Sequence, residues 1–215
     1  MKHCCIFAAN FNTMKKIIFV CGLLVASAVS FAQSNFSFGL KTGFNASLPQ
    51  ISPTVKGAEM LPTFHVGAFG EYGLNDKLSF QAGLLFNGRG TSIAHEDHHD
   101  DLKLYGLDIP LMVMYRTNGL FFGAGPSIGF NIAGNFHSHE EDGTETEQKI
   151  KFGSAANEKK PLNYGLNLIA GYELKNGFFA QAGFLYDLTN WNNASGVTEK
   201  YHILSFGLGY RFVKK

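Results

Sequence analysis

Apolar and polar residues alternate with a period of two along most of this chain, and helical spacing is nearly absent. The alternation predicts eight strand-length segments: Asn35–Ser47, Thr63–Leu74, Leu78–Asn87, Leu104–Arg116, Leu120–Asn131, Leu162–Leu174, Gly177–Leu188 and His202–Phe212. Most exceed the roughly 5–6 residues of an ordinary soluble strand. They match the roughly 9–11 residues that a tilted strand needs to cross a bilayer.

The connections alternate in length. Asn75-Asp76, Asn118-Gly119 and Asn176-Gly177 are tight turn signals, and Asn-Gly favours the type I′ hairpin. Leu48–Pro62, Gly88–Lys103, Ile132–Pro161 and Thr189–Tyr201 are long and polar, and are expected to be loops. Short turns at one end and long loops at the other form the plan of an outer-membrane barrel. The expected fold is all-β: an eight-stranded antiparallel up-and-down transmembrane β-barrel, with both chain ends on the short-turn, periplasmic side.

The two faces of the segments differ in kind. One carries rows such as Tyr105, Leu107, Ile109, Leu111, Val113 and Tyr115, or Leu204, Phe206, Leu208, Tyr210 and Phe212. Tyr72, Tyr115, Tyr172 and Tyr210 fall near the same end of four segments, as an interfacial aromatic girdle requires. The other face is mostly Gly, Ser, Asn and Gln, with charges at Lys41, Glu71, Asp108, Arg116, Glu173, Asp187 and Arg211. A narrow eight-stranded lumen is filled by side chains, and a charge buried there alone is costly. Interior ion pairs are therefore expected among these seven residues, with Glu71 and Glu173 near Arg116 and Arg211.

Composition agrees with this picture. The chain of 215 residues is long enough for one domain, and its 21 Phe, 8 Tyr and 25 Gly suit a β-rich protein with much apolar surface. A formal net charge of +1 gives no footprint for nucleic acid. Near the start, Lys15 and Lys16 precede the apolar run Ile17 to Val29, and Ser30-Phe31-Ala32 places small residues at −3 and −1. This is the pattern of a secretory signal cleaved after Ala32, with Met14 as the start of translation. The expected division is a leader and cleaved signal over 1–32 and a barrel over 33–215. Cys4, Cys5 and Cys21 all precede the cut, so disulfides and thiolate metal sites are not expected in the mature chain.

Five stretches look familiar. Tyr105 to Tyr115 (YGLDIPLMVMY) resembles the "YLxIPLLxKY" strand of the Bacteroidetes outer-membrane β-barrel family that includes PorT-like proteins. Gly123 to Phe130 (GAGPSIGF) resembles its "GxGPYxG" strand, and Asn163 to Glu173 its "xxGLxxGxE" strand. Gly207 to Phe212 is similar to the closing strand, and Ser30 to Gln33 to the signal ending of that phylum. Met114 stands where the family is often basic, and Val213-Lys214-Lys215 extends past the last aromatic. The resemblance implies an OmpA/OmpX-like barrel in the outer membrane of a Gram-negative bacterium.

Chemistry-bearing residues concentrate in two of the long connections. His95, His98 and His99 lie among acids in one, and His137 and His139 in the other. Imidazole and carboxylate suit Zn, Cu or Ni, but no fixed ligand spacing accompanies them. Trp191 among Asn190, Asn192 and Asn193 is expected to be an interfacial anchor. No nucleophile–base–orienter set is visible, so no enzymatic activity and no cofactor are expected. The leading functional expectation is a barrel with a plugged lumen, in contact with outer-membrane lipid, whose extracellular loops meet protein partners in adhesion, surface contact or support of a secretion complex. Loop-based metal binding, a narrow porin-like channel and a soluble lipocalin-like barrel stand as alternatives.

Overall fold

The structure, a computed structural model, describes residues 35–94, 98–140 and 145–212. The expected signal segment, residues 1–32, and the tail 213–215 lie outside them. The barrel belongs to the compact unit Ser37–Lys215.

The strands are β1 (Phe36–Ser52), β2 (Ala58–Gly73), β3 (Leu78–Ala94), β4 (His98–Thr117), β5 (Leu120–Glu140), β6 (Glu145–Lys149), β7 (Leu162–Glu173), β8 (Phe178–Asp187) and β9 (Thr198–Phe212). Each neighbour pairing with a resolved register is antiparallel. The order β4-β3-β2-β1-β9-β8-β7-β5 closes through β4–β5 into a ring of eight, and β6 hangs from β5 outside the ring. All eight expected segments lie on ring strands. The ninth strand and much of the length of β1 to β5 are additional. Residues 48–52, 58–62, 88–94, 98–103 and 132–140, expected as loops, continue the strands instead.

Tight turns follow the sequence. Asn118 and Gly119 both take positive φ, 51° and 86°, which is the type I′ geometry that twists with the strands it joins. Asn75 Oδ1 accepts the Lys77 and Leu78 amides at 2.9 and 2.8 Å and closes another short turn.

The outward face is apolar and exposed: Phe44, Leu168, Phe206 and Leu208 are 57–78% accessible. On β4 the outward row runs from Tyr115 to Tyr105 and then turns polar at Lys103, Asp101 and His99. That row spans about 25 Å of height once strand tilt is allowed for, the thickness of a lipid-facing band. Tyr72, Tyr115 and Tyr172 are exposed at the short-turn end, and Tyr210 is half-buried against Phe178 and Phe212. Inward positions are polar or tightly packed, which inverts the apolar interior and polar exterior of a soluble binding barrel.

Candidate functional site

The lumen fills in layers from the short-turn end. Arg116 donates from Nε and Nη2 to the two carboxylate oxygens of Glu71, both at 2.7 Å, and from Nη1 to Glu173 at 2.8 Å. Arg211 donates to Glu173 from Nη2 at 2.6 Å and from Nε at 2.9 Å. Ser79 and Gln81 complete Glu71 at 2.7 and 3.0 Å. Four residues expected together are thus one chain of fork-shaped pairs, and the desolvated carboxylates are fully bonded. They sit on β2, β4, β7 and β9, so the network ties distant staves across the lumen.

The next layer is apolar. Phe69, Met112, Met114, Phe121 and Phe179 form a buried cluster, with Phe69 and Phe121 each edge-on to Phe179 at 5.8 Å. Lys41 is buried beside it, its Nζ 5.9 Å from the Phe69 ring centroid. Among the described residues no carboxylate pairs with Lys41, so the expected ion pair is absent there and a ring face takes its place. Above lies a cavity of about 40 Å³ lined by Lys41, Asn45, His65, Asn87, Asn167 and Gln181, among others. It has room for about three waters.

A chain of hydrogen bonds then crosses the barrel. His65 Nδ1 and Asn45 Oδ1 are 2.8 Å apart, and Asn45 donates to Asn87 at 2.6 Å. Asn87 donates to Asp108 at 2.6 Å, and Asp108 is salt-bridged to Arg89. Arg89 also donates to Asn163 at 3.2 Å, Asn163 to Asn131 at 3.0 Å, and Asn131 to the Lys160 carbonyl at 2.8 Å. Asp108 therefore has its cation, but the partner is Arg89, which lies in a stretch expected as loop. The signal for it was present: Gln81, Asn87, Arg89 and Thr91 are buried on one unbroken period-two face.

A small apolar core caps the long-loop end. Leu102, Leu104, Trp191 and Tyr201 are buried together, with Phe136, Ile150 and Phe152 packed on them. Trp191 is fully buried, lies 5.0 Å from the Arg89 guanidinium and donates its indole N–H to Asp187 at 2.5 Å. The expected interfacial anchor is thus a plug residue, because a ring with a buried acceptor and an apolar pocket leaves the lipid interface. Among the described residues, no lysine or arginine stands within hydrogen-bond reach of Asp187. It accepts from Trp191 and from the Thr189 and Tyr201 amides at 3.0 and 3.2 Å. Glu199 binds Lys159, the Tyr201 hydroxyl and Asn192, and Asn193 donates to the carbonyls of Gly153, Ala155 and Glu158 at 2.9–3.2 Å. These bonds pin the 150–161 connection to the 189–199 connection. No sequence pattern marked either segment as ordered.

Among the described residues, His98, His99, His137 and His139 occupy strands rather than loops. Register sets His99 opposite His139, Asp101 opposite His137, and His98 opposite Glu140. His95 lies outside the described residues. Among the described residues no group of three or more His, Cys, Asp or Glu is arranged to hold a metal ion. Ser92 Oγ stands 2.6 Å from both His99 Nε2 and Asp101 Oδ1, and Lys103 reaches Asp101 at 2.9 Å. This is not a relay: Ser92 donates to the acid, and Asp101 approaches the same ring nitrogen at 3.4 Å instead of orienting the other. Asp101 lies above the lipid-facing band. Burial raises its pKa, but hydrogen bonds from Ser92 and Lys103 and the nearby positive charges outweigh that and hold the carboxyl below its ordinary value.

An eight-stranded ring with an apolar belt, an aromatic girdle and a filled polar lumen defines an outer-membrane β-barrel. Residues 31–193 match the family model described as the outer membrane protein beta-barrel domain, and the chain belongs to that family. In solved structures the fold is similar to Neisserial surface protein A, at 16% identity and TM-score 0.50 over 81% of this chain and 97% of that one. Two others are matched at lower TM-scores. They are Ail, the attachment invasion locus protein of Yersinia pestis (16% identity, TM-score 0.42, 82% of this chain and 98% of that chain), and OprG from Pseudomonas aeruginosa (15%, 0.44, 84% and 98%). No curated protein matches the chain in sequence.

Proposed function

We propose that this chain is a surface-contact protein of the outer membrane, with the barrel as anchor and the β4–β5–β6 extension, on the extracellular side, as the working part. One observation carries the reading. The lumen is occupied from the Glu71–Arg116–Glu173–Arg211 network to the Trp191 cap, while β4 and β5 continue as paired strand far past the lipid-facing band. Among the described residues the side chains leave no open path through the barrel, whereas the projecting sheet offers a polar surface.

The test compares cells displaying the full chain with cells displaying a variant that lacks residues 137–147 and closes Phe136 to Gln148 with an Asn-Gly turn. Attachment to other cells and to immobilised surface glycans and proteins should depend on the full chain and disappear in the trimmed one, which keeps its barrel. Equal attachment by both would overturn the proposal.

A second reading, transition-metal binding, rests on the register that brings His99 opposite His139 and Asp101 opposite His137. Calorimetry with Zn²⁺ on the wild type and on variants with alanine at His95, His98, His99, His137 and His139 separates it: saturable heat that the substitutions remove supports it.

A further inference from the structure

Among the described residues, β6 carries the edge that the closed ring leaves open. Ile150 N–H donates to the Gly134 carbonyl at 2.8 Å, so the residues in phase with it, Gln148 and Thr146, turn their backbone groups toward β5. Glu147 and Lys149 turn theirs the other way, toward a side that no described strand covers. Thr146 to Lys149 are all exposed.

Charge along this edge is antisymmetric. In Glu145-Thr146-Glu147-Gln148-Lys149-Ile150-Lys151, acids stand one and three places before Gln148, and lysines one and three places after it. An antiparallel copy centred on Gln148 sets Glu147 of each copy opposite Lys149 of the other; the pairing stops short of Lys151, whose carbonyl already accepts the Lys159 amide of its own chain at 2.9 Å. Centring on Glu147 sets like acids together, and centring on Lys149 sets like bases together. Opposite charges directly across a ladder are favourable and like charges are not. The favoured register also faces the free backbone groups of Glu147 with those of Lys149, as a hydrogen-bonded pair requires. Charged residues on an open edge ordinarily repel another copy; an antisymmetric set attracts one, and in a single register.

We infer that this edge pairs with the same edge of a second copy of the chain, and that the second copy stands in a facing membrane. The two-fold axis of an antiparallel pair is normal to the sheet. The barrel axis runs parallel to its wall, and β6 continues that wall through β5, so the two-fold reverses the barrel. Two copies side by side in one membrane keep the same direction and cannot form this pair. The inference rests on the surface-contact reading and names its partner.

The experiment uses the full chain in two dye-labelled populations of phosphatidylcholine vesicles. Wild type should cluster the two populations, less so at high salt because the charges are exposed. Glu147→Lys places lysine opposite lysine, and Lys149→Glu places acid opposite acid; each alone should lower clustering by about tenfold. Mixing Glu147→Lys vesicles with Lys149→Glu vesicles restores both opposite-charge pairs and should restore clustering, which two misfolded variants would not do. Single variants that cluster like wild type, or a mixture no better than its components, would overturn the inference. Wild-type vesicles that stay apart while cells still attach through the extension would overturn self-pairing and leave the surface-contact reading standing.

Discussion

At the scale of single residues, the energetics concentrate in a few buried charges. Arg116 is the hub of its network, bonded to two acids on different strands. Arg116→Ala leaves Glu71 in the lumen without its cation, and such a loss costs about 3–5 kcal/mol. Urea unfolding in lipid vesicles should show that drop, with Arg116→Lys between the two because a lysine cannot reproduce the fork. A loss below about 1 kcal/mol would mean that the pair behaves as an exposed one. Asp101 gives a pH dependence of known sign. Its folded pKa is depressed, so its stabilising contribution is present above the ordinary carboxylate pKa and is lost as pH falls through the folded value. Protection factors of the amides along the Ser92–Asp101 pair, with the intrinsic pH dependence of exchange divided out, should therefore fall on acidification below about pH 4. The sparse charges on the Gly- and Asn-rich face were legible because polar positions alternate with lipid-facing ones. The partners of Lys41, Asp108 and Asp187 were not, since pairing depends on shear and height within the ring, which period-two spacing does not encode.

At the scale of elements, the cap behaves as a unit. Trp191, Tyr201, Leu102 and Leu104 hold the 150–161 and 189–199 connections over the lumen. Trp191→Ala removes the central ring and the donor to Asp187, a loss of about 3–5 kcal/mol locally. Limited proteolysis should then cut within 150–161 while the barrel resists, and a cap as resistant as wild type would contradict its role as a clamp. Gly90 supplies a second check. Its φ is +148°, and a Cβ there would lie 1.8 Å from the Leu102 carbonyl oxygen. Gly90→Ala should weaken the β3–β4 extension, seen as faster amide exchange of Leu102 and Lys103. The ring strands were legible from alternation because one face meets lipid. The extensions were not, because above the membrane both faces meet water or a small local core and the apolar row disappears. In β6, Glu145-Thr146-Glu147-Gln148-Lys149 contains no apolar residue at all, so only pairing with β5 reveals a strand.

At the scale of the whole molecule, an inside-out polarity and a closed ring determine behaviour. The apolar belt needs lipid, so the folded chain should resist extraction from membranes by carbonate. The lumen holds a chain of fork-shaped ion pairs, an aromatic layer, a cross-barrel hydrogen-bond chain and a capping tryptophan in series, and the cavity between them is about 40 Å³. On the proposed function, such a barrel anchors a surface device and is expected not to conduct. Single-channel recording of the purified full chain in planar bilayers tests this most directly. The expected result is a baseline without steady openings, in wild type and in the variant lacking residues 137–147 alike. Long-lived, ohmic steps of constant size in the wild type would contradict it, because ions would then be crossing a lumen that these side chains close.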